Sequence, residues 1–227
     1  MKKILKYFSL FEWCLYLSGI TFIIFFYIIF KNNDYISLTG ALIGVTALIF
    51  VSKGNVIGQI ITVIFSIFYG IISYSYKYYG EMITYLCMTT PIAIMAVVSW
   101  IKNPSKENKN EVLVNTLKYK EYLLLILLSI IVTMVFYFIL KFFNTNNLIV
   151  STFSITTSFI ASYLTMRRSR FYALAYAFND VVLIILWVLA SMNNIEYISM
   201  VTCFIAFLAN DIYGFINWGR LLNKQNH

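Results

Sequence analysis

Residues 175–187 read AYAFNDVVLIILW. Asn179 and Asp180 stand side by side at the centre of a run that is otherwise apolar or aromatic. An ionised carboxylate at the middle of a bilayer costs roughly 3 kcal/mol on insertion scales, and more on an isolated helix. A run that keeps one must give it a partner helix, water or a ligand. The rest of the chain decides whether a bilayer is the right setting. Its 227 residues are 61% hydrophobic and 11% charged, with a mean hydropathy of +0.80. A soluble domain carries about a quarter charged residues. Apolar runs long enough to cross about 30 Å of hydrocarbon recur at about 13–30, 36–52, 55–76, 82–101, 122–140, 148–166, 171–190 and 197–218. The expectation is an all-α integral membrane protein with about eight transmembrane helices, a single domain over 1–227 with no room for a soluble catalytic unit.

The formal charge of +8 invites a nucleic-acid reading, but its distribution favours orientation in a membrane. With the N-terminus inside, 14 of the 17 basic residues fall on cytoplasmic segments, leaving Lys31, Lys77 and Lys141 outside. That asymmetry places both termini in the cytoplasm and explains the RRSR cluster at 167–170 without an anion. MKKILKYFSLFEW resembles the start of a signal peptide, but no small-residue cleavage site follows, so a retained helix is expected. Cys14, Cys87 and Cys203 lie in separate spans and give no disulfide framework. The one histidine is His227, and neither metal-ligand spacing nor a nucleotide or protease signature is present. No cofactor and no nucleic-acid partner are expected.

The polar stretch 102–121, KNPSKENKNEVLVNTLKYKE, reads as a cytoplasmic linker opened by Pro104. It divides the spans into one plus three before it and one plus three after it. The first three-helix bundle would occupy 36–101, a linking helix 122–140 and the second bundle 148–219. A shift of 118 residues lays about 41–102 on 159–220 without gaps, matching Tyr69 to Trp187, Tyr79 to Tyr197, Met82 to Met200 and Trp100 to Trp218. Few residues are identical, but such a parallel pseudo-two-fold repeat is a recurring transporter design, with the site between the halves.

Polar residues inside the spans carry the functional reading. Asn55, Gln59, Thr62, Ser66, Tyr69, Ser73 and Tyr76 alternate four and three apart, which keeps them on one helix face from end to end. Helix-helix hydrogen bonding explains one or two such residues, whereas a stripe of this length suits a permeation path. In the seventh span Asp180 lies near the midplane, and Trp187 is seven residues on, two turns along almost the same face. The eighth span repeats the chemistry: Asp211 and Trp218 are seven apart, and Asn210 and Asn217 share a neighbouring face. Carboxyls inside spans mark substrate or proton pathways, Asp180 above all, although the two Asn-Asp pairs could instead bond to each other for stability. An acid, amides and an aromatic on one face suit a small polar molecule with a flat ring. Tyr69 and Trp187 would close on that ring from opposite sides.

These segments resemble a known family. KGNVIGQIITVIFSIFYGIISYSYKYYGEMITYLCMTTPIAIMAVVSWIKN is similar to the first half of the PnuC nicotinamide riboside transporters. The likeness rests on Gly54-Asn55, on Tyr69-Gly70 before a tyrosine-rich loop, on Gly80-Glu81-Met82 and on Trp100 two before Lys102. SFIASYLTMRRSRFYALAYAFNDVVLIILW resembles the second half, and the likeness spans about 36–219. It implies two three-helix bundles joined by a linking helix, an architecture related to SWEET sugar carriers, assembled as a homotrimer in a bacterial-type inner membrane. It also implies facilitated uptake of a vitamin-like riboside that a cytoplasmic kinase traps by phosphorylation. Carried over by position, Gln59, Tyr69, Asn179 and Trp187 line the pocket with Asn210 or Asn217. The chain departs from better-known members in lacking paired tryptophans: Leu183 and Ser191 stand four residues to either side of Trp187. The substrate-binding set expected here is therefore Gln59, Thr62, Ser66, Tyr69, Asn179, Asp180, Trp187, Asn210, Asp211 and Asn217. The alternatives are carriage of a related vitamin or nucleoside (thiamine, riboflavin or a deoxynucleoside), with or without proton coupling through Asp180, and an intramembrane enzyme built on Asp180 and Asp211.

Overall fold

The computed structural model describes residues 7–30 and 34–226. Lys2, Lys3, Lys6, Lys31 and His227 lie outside the described residues. Among the described residues, eight helices are long and apolar enough to cross a bilayer: α1 Leu10–Ile29, α2 Tyr35–Ser52, α3 Val56–Ser75, α4 Tyr79–Lys102, α5 Tyr119–Phe142, α6 Leu148–Met166, α7 Tyr172–Ser191 and α8 Ile198–Gln225, the last entered through a short turn at Ile195–Tyr197. The protein is a multi-pass membrane protein whose elements follow the apolar runs of its sequence.

Local signals set the helix ends. Ser9 and Glu12 form a reciprocal capping box at α1, and the Asp34 and Asn55 side chains accept the first free N–H groups of α2 and α3. One span is irregular. Thr84–Thr89 winds as a π-helix inside α4, just before Pro91. Proline has no N–H to continue the ladder, so the preceding carbonyls are released. Thr90 holds the bulge from the other side, donating to the Tyr85 carbonyl with its backbone N–H and, at 2.8 Å, with its Oγ1. The resulting bulge presents Tyr85 and Thr89 to the interior of the bundle.

Helices α2, α3 and α4 pack in succession, as do α6, α7 and α8; α8 then lies against α2, and α4 against α6. Two buried indoles tie these contacts in a reciprocal way. Trp218 of α8 donates to the Val51 carbonyl of α2 at 3.0 Å, and Trp100 of α4 donates to the Thr165 carbonyl of α6 at 2.9 Å. Each carbonyl also accepts a backbone N–H from a left-handed residue just past its helix, Gly54 at φ 67° and Arg168 at φ 59°. The two rings meet 5.3 Å apart, and Tyr172 packs on Trp218 at 4.6 Å. The indoles are 118 residues apart, but their acceptor carbonyls are 114 apart. A gapless shift of 118 therefore misplaces α2 on α6 by about one turn.

Helices α1 and α5 lie on the outside. The α5 face with Leu124, Leu127, Ile131, Met134 and Phe138 is exposed, as lipid contact requires. The segment between α4 and α5 is not a loose tether. Val112 N–H donates to the Gly54 carbonyl and Asn115 N–H to the Arg168 carbonyl, both at 2.9 Å. Gln225 clasps the Val112 carbonyl and the Val114 N–H. The linker thus stitches the α2–α3 turn, the α6–α7 turn and the C-terminal helix together. In the basic cluster, Arg167 pairs with Glu121 and Arg168 donates to the Leu113 carbonyl.

At the opposite end, the Asp34 carboxylate accepts from the Ser37 and Tyr76 hydroxyls and from the Ile36 and Ser37 N–H groups. Partial burial alone would raise its pKa, but those hydrogen bonds outweigh it and hold the carboxyl below its ordinary value. The folded group therefore titrates below the unfolded one. Its stabilisation is complete above the unfolded value of 3.8 and is lost as pH falls through the folded value. Thermal melting should show this acid loss in the wild type and less of it in Asp34→Asn, which keeps a cap without the charge. Asp34→Ala, which removes the cap, should cost about 1 kcal/mol.

Candidate functional site

Between the linker end and the far end, the helices enclose a narrow cavity of about 60 Å³. Its walls come from α2 (Gly44, Ala47, Leu48, Val51), α3 (Gln59, Thr62, Phe65), α4 (Tyr85, Thr89), α6 (Ser158, Ser162), α7 (Tyr172, Tyr176, Asn179, Asp180) and α8 (Phe204, Phe207, Asp211). Six of the eight helices contribute. Five of the ten residues expected from the sequence line it: Gln59, Thr62, Asn179, Asp180 and Asp211.

The polar groups are held with their free valences inward. The Thr157 and Ser158 hydroxyls donate to the Asn179 carbonyl oxygen at 2.7 and 2.9 Å, leaving its amide N–H groups for the cavity. Asp180 and Asp211 both line the cavity, and Asp180 Oδ2 has no hydrogen-bond partner among the described residues. The lining holds no lysine, arginine or histidine. Aromatic faces are plentiful, from Phe65, Tyr85, Tyr176, Phe204 and Phe207. At this volume the space takes a few water molecules, so a ring-bearing ligand has to spread these walls.

The other five expected residues lie elsewhere, for identifiable reasons. The rings of Tyr69 and Trp187 do not flank an opening: they touch, fully buried, with the Trp187 indole N–H donating to the Tyr69 hydroxyl at 2.7 Å. Around them pack Tyr76, Tyr78 and Tyr197, with Tyr78 4.9 Å from Trp187 and Tyr76 4.6 Å from Tyr197. This cluster closes the far end, as Trp100, Trp218 and Tyr172 close the linker end. Burial, with Tyr197 alongside, pushes the Tyr78 hydroxyl up to about 12, so it stays neutral at ordinary pH. Ser66 bonds across to Thr90 at 2.8 Å instead of facing the cavity. Asn217 donates to the Ser52 carbonyl at 2.8 Å, finishing the end of α2. Asn210 follows from helix geometry: neighbours on a helix point about 100° apart, so with Asp211 inward Asn210 faces α1. There it lines a groove with Leu15, Ser18, Gly19 and Phe22.

The stripe on α3 therefore changes role along its length. Gln59 and Thr62 face the cavity, while Ser66, Tyr69 and Tyr76 bond to protein. The sequence reading missed a second stripe. Ser151, Ser154, Ser158, Ser162 and Thr165 are three or four apart on α6 and all buried. That spacing was visible by the same rule. The Tyr69–Trp187 bond is itself measurable: a double-mutant cycle with Tyr69→Phe and Trp187→Phe should give a coupling of about 1 kcal/mol in stability.

Comparison with known proteins places this architecture. The family model described as nicotinamide mononucleotide transporter matches residues 34–220. The nicotinamide riboside transporter PnuC of Neisseria mucosa is 24% identical over 218 residues, covering 94% of this chain and 82% of that protein. Its counterpart from Haemophilus influenzae is 22% identical over 195 residues, covering 86% of this chain and 83% of that protein. The crystal structure of the vitamin B3 transporter PnuC shares the fold with a TM-score of 0.83 and 23% identity, over 96% of this chain and 94% of that one. With the family model running from the cap of α2 into the last turns of α8, the chain belongs to the PnuC family of membrane transporters.

Proposed function

We propose that the protein carries nicotinamide riboside across the membrane by facilitated diffusion, and that phosphorylation in the cytoplasm retains the product. One observation carries this reading: a cavity with amides, hydroxyls and carboxyls sits between two aromatic closures, with no basic side chain in its walls. A phosphate would enter that space without a counter-charge, at a large desolvation cost. The chemistry of the lining therefore favours the riboside over the mononucleotide. The amides of Gln59 and Asn179 and the hydroxyls of Thr62, Ser158 and Ser162 match a carboxamide and a ribose, and the aromatic walls match the ring.

The reciprocal Trp100 and Trp218 bonds support a molecule built from two parallel three-helix bundles, α2–α4 and α6–α8, joined by α5. Alternating access then opens one aromatic closure while the other holds. The basic residues support an inner-membrane orientation with both termini cytoplasmic, and the family likeness supports a homotrimer. Purified protein should melt at a higher temperature with nicotinamide riboside, by about 2.7 kcal/mol of added stability at a hundredfold excess over Kd. Nicotinamide mononucleotide should give no shift. A shift with the mononucleotide or a deoxynucleoside, and none with the riboside, would overturn the assignment.

A further inference from the structure

We infer that the Asp180–Asp211 pair is a charge filter, which makes the cavity select a cationic N-alkylated aromatic ring over a neutral ring of the same shape. This rests on the riboside reading above and adds what in the ring is recognised. Four observations converge on it. The two acidic side chains come from different helices, α7 and α8, yet face the same space between them. Both are buried, at 2% and 3% exposure, and both line the cavity. Asp180 Oδ2 is buried with no hydrogen-bond partner. No cationic side chain stands among the lining residues.

Buried acids elsewhere in this protein are treated differently. Glu12 has Lys53 at 2.9 Å and the Tyr213 hydroxyl at 2.7 Å, and Glu81 accepts from Ser154 at 2.9 Å. A buried carboxyl oxygen left without a donor is expensive. At Asp180 it belongs to a residue that lines the central cavity. A ring carrying positive charge supplies the missing interaction, strengthened by the low dielectric of the closed site. A pyridinium of this kind has no N–H to donate, so charge is what the pair reads, and the aromatic walls read shape. Asn179, held by Thr157 and Ser158, is left to meet the ring's polar substituent.

The test uses two forms of one ligand. Nicotinamide riboside is a cation, and its 1,4-dihydro form is neutral with nearly the same outline. Binding of each to purified full-length protein, by calorimetry or thermal shift, should favour the cation by about tenfold or more in wild type. In Asp180→Asn and Asp211→Asn that preference should fall to within about threefold, with the neutral form bound at least as well as before. Equal binding of the two forms by wild type would overturn the inference without any variant, and leave the riboside assignment standing. A preference that survives in both folded variants would overturn it as well. Binding of neither form would instead remove the riboside assignment, and the charge filter with it.

Discussion

Trp218→Ala is expected to lower stability by about 3–5 kcal/mol, a fall of roughly 10 °C or more in melting temperature for a chain of this size. The indole is fully buried. Its ring packs against Trp100 at 5.3 Å and Tyr172 at 4.6 Å, and its N–H reaches across to the Val51 carbonyl at 3.0 Å. Truncation leaves a hole where α2, α4, α7 and α8 meet. Most of the loss is packing, because the Val51 carbonyl keeps the Gly54 N–H when the indole is gone. Trp218→Phe separates the two contributions: it retains most of the apolar volume and should cost only about 1 kcal/mol for the lost hydrogen bond. Melting of both variants in one detergent gives the comparison. A shift of less than 2 or so degrees in the alanine variant would mean that this junction does not hold the helices together.

Gly44→Ala should impair binding far more than folding. A Cβ at Gly44 would stand 2.1 Å from Phe207 Cζ and 3.0 Å from Phe65 Cδ2, so those rings must give way. Both rings line the cavity, and about 60 Å³ leaves little room to absorb them. Phe207 is the far end of a movable side chain, so the strain is relieved by swinging it, not by parting α2 from α8. Alanine is also the better helix former by about 1 kcal/mol, which counters part of the crowding. Affinity for the riboside should drop by about tenfold or more while the melting temperature moves little. Unchanged affinity would show that the ligand does not occupy this space.

Much of this molecule was legible in the sequence, and the limits of that legibility are physical. Eight spans could be found because a bilayer demands some twenty apolar residues per helix, a constraint written directly into composition. Periodicity assigned Gln59, Thr62 and Asp180 to inward faces. It could not say what lies opposite an inward face, and there the expectations for Tyr69 and Trp187 met their limit. The two side chains do meet, but whether facing rings hold a gap or touch depends on helix separation, which no single sequence prints. Asn210 illustrates a narrower lapse, since helix geometry already forbids it from sharing Asp211's direction. The π-turn before Pro91 had a signal that went unused: a proline in mid-span frees carbonyls that must find other donors. The α6 hydroxyl stripe was overlooked for the opposite reason, because small residues at helix contacts look like mere packing.

One feature of the first helix bears on how the protein is handled in the laboratory. The family match begins at residue 34, which makes trimming the chain to that point tempting. Yet Glu12 spans two helices from outside that boundary, taking the Lys53 ammonium at the end of α2 and the Tyr213 hydroxyl on α8. A version shortened to residues 34–227 would leave the Lys53 ammonium and the Tyr213 hydroxyl without this partner, and uncover the α8 face on which α1 packs. Expression work should keep the leading segment and place tags at the other terminus.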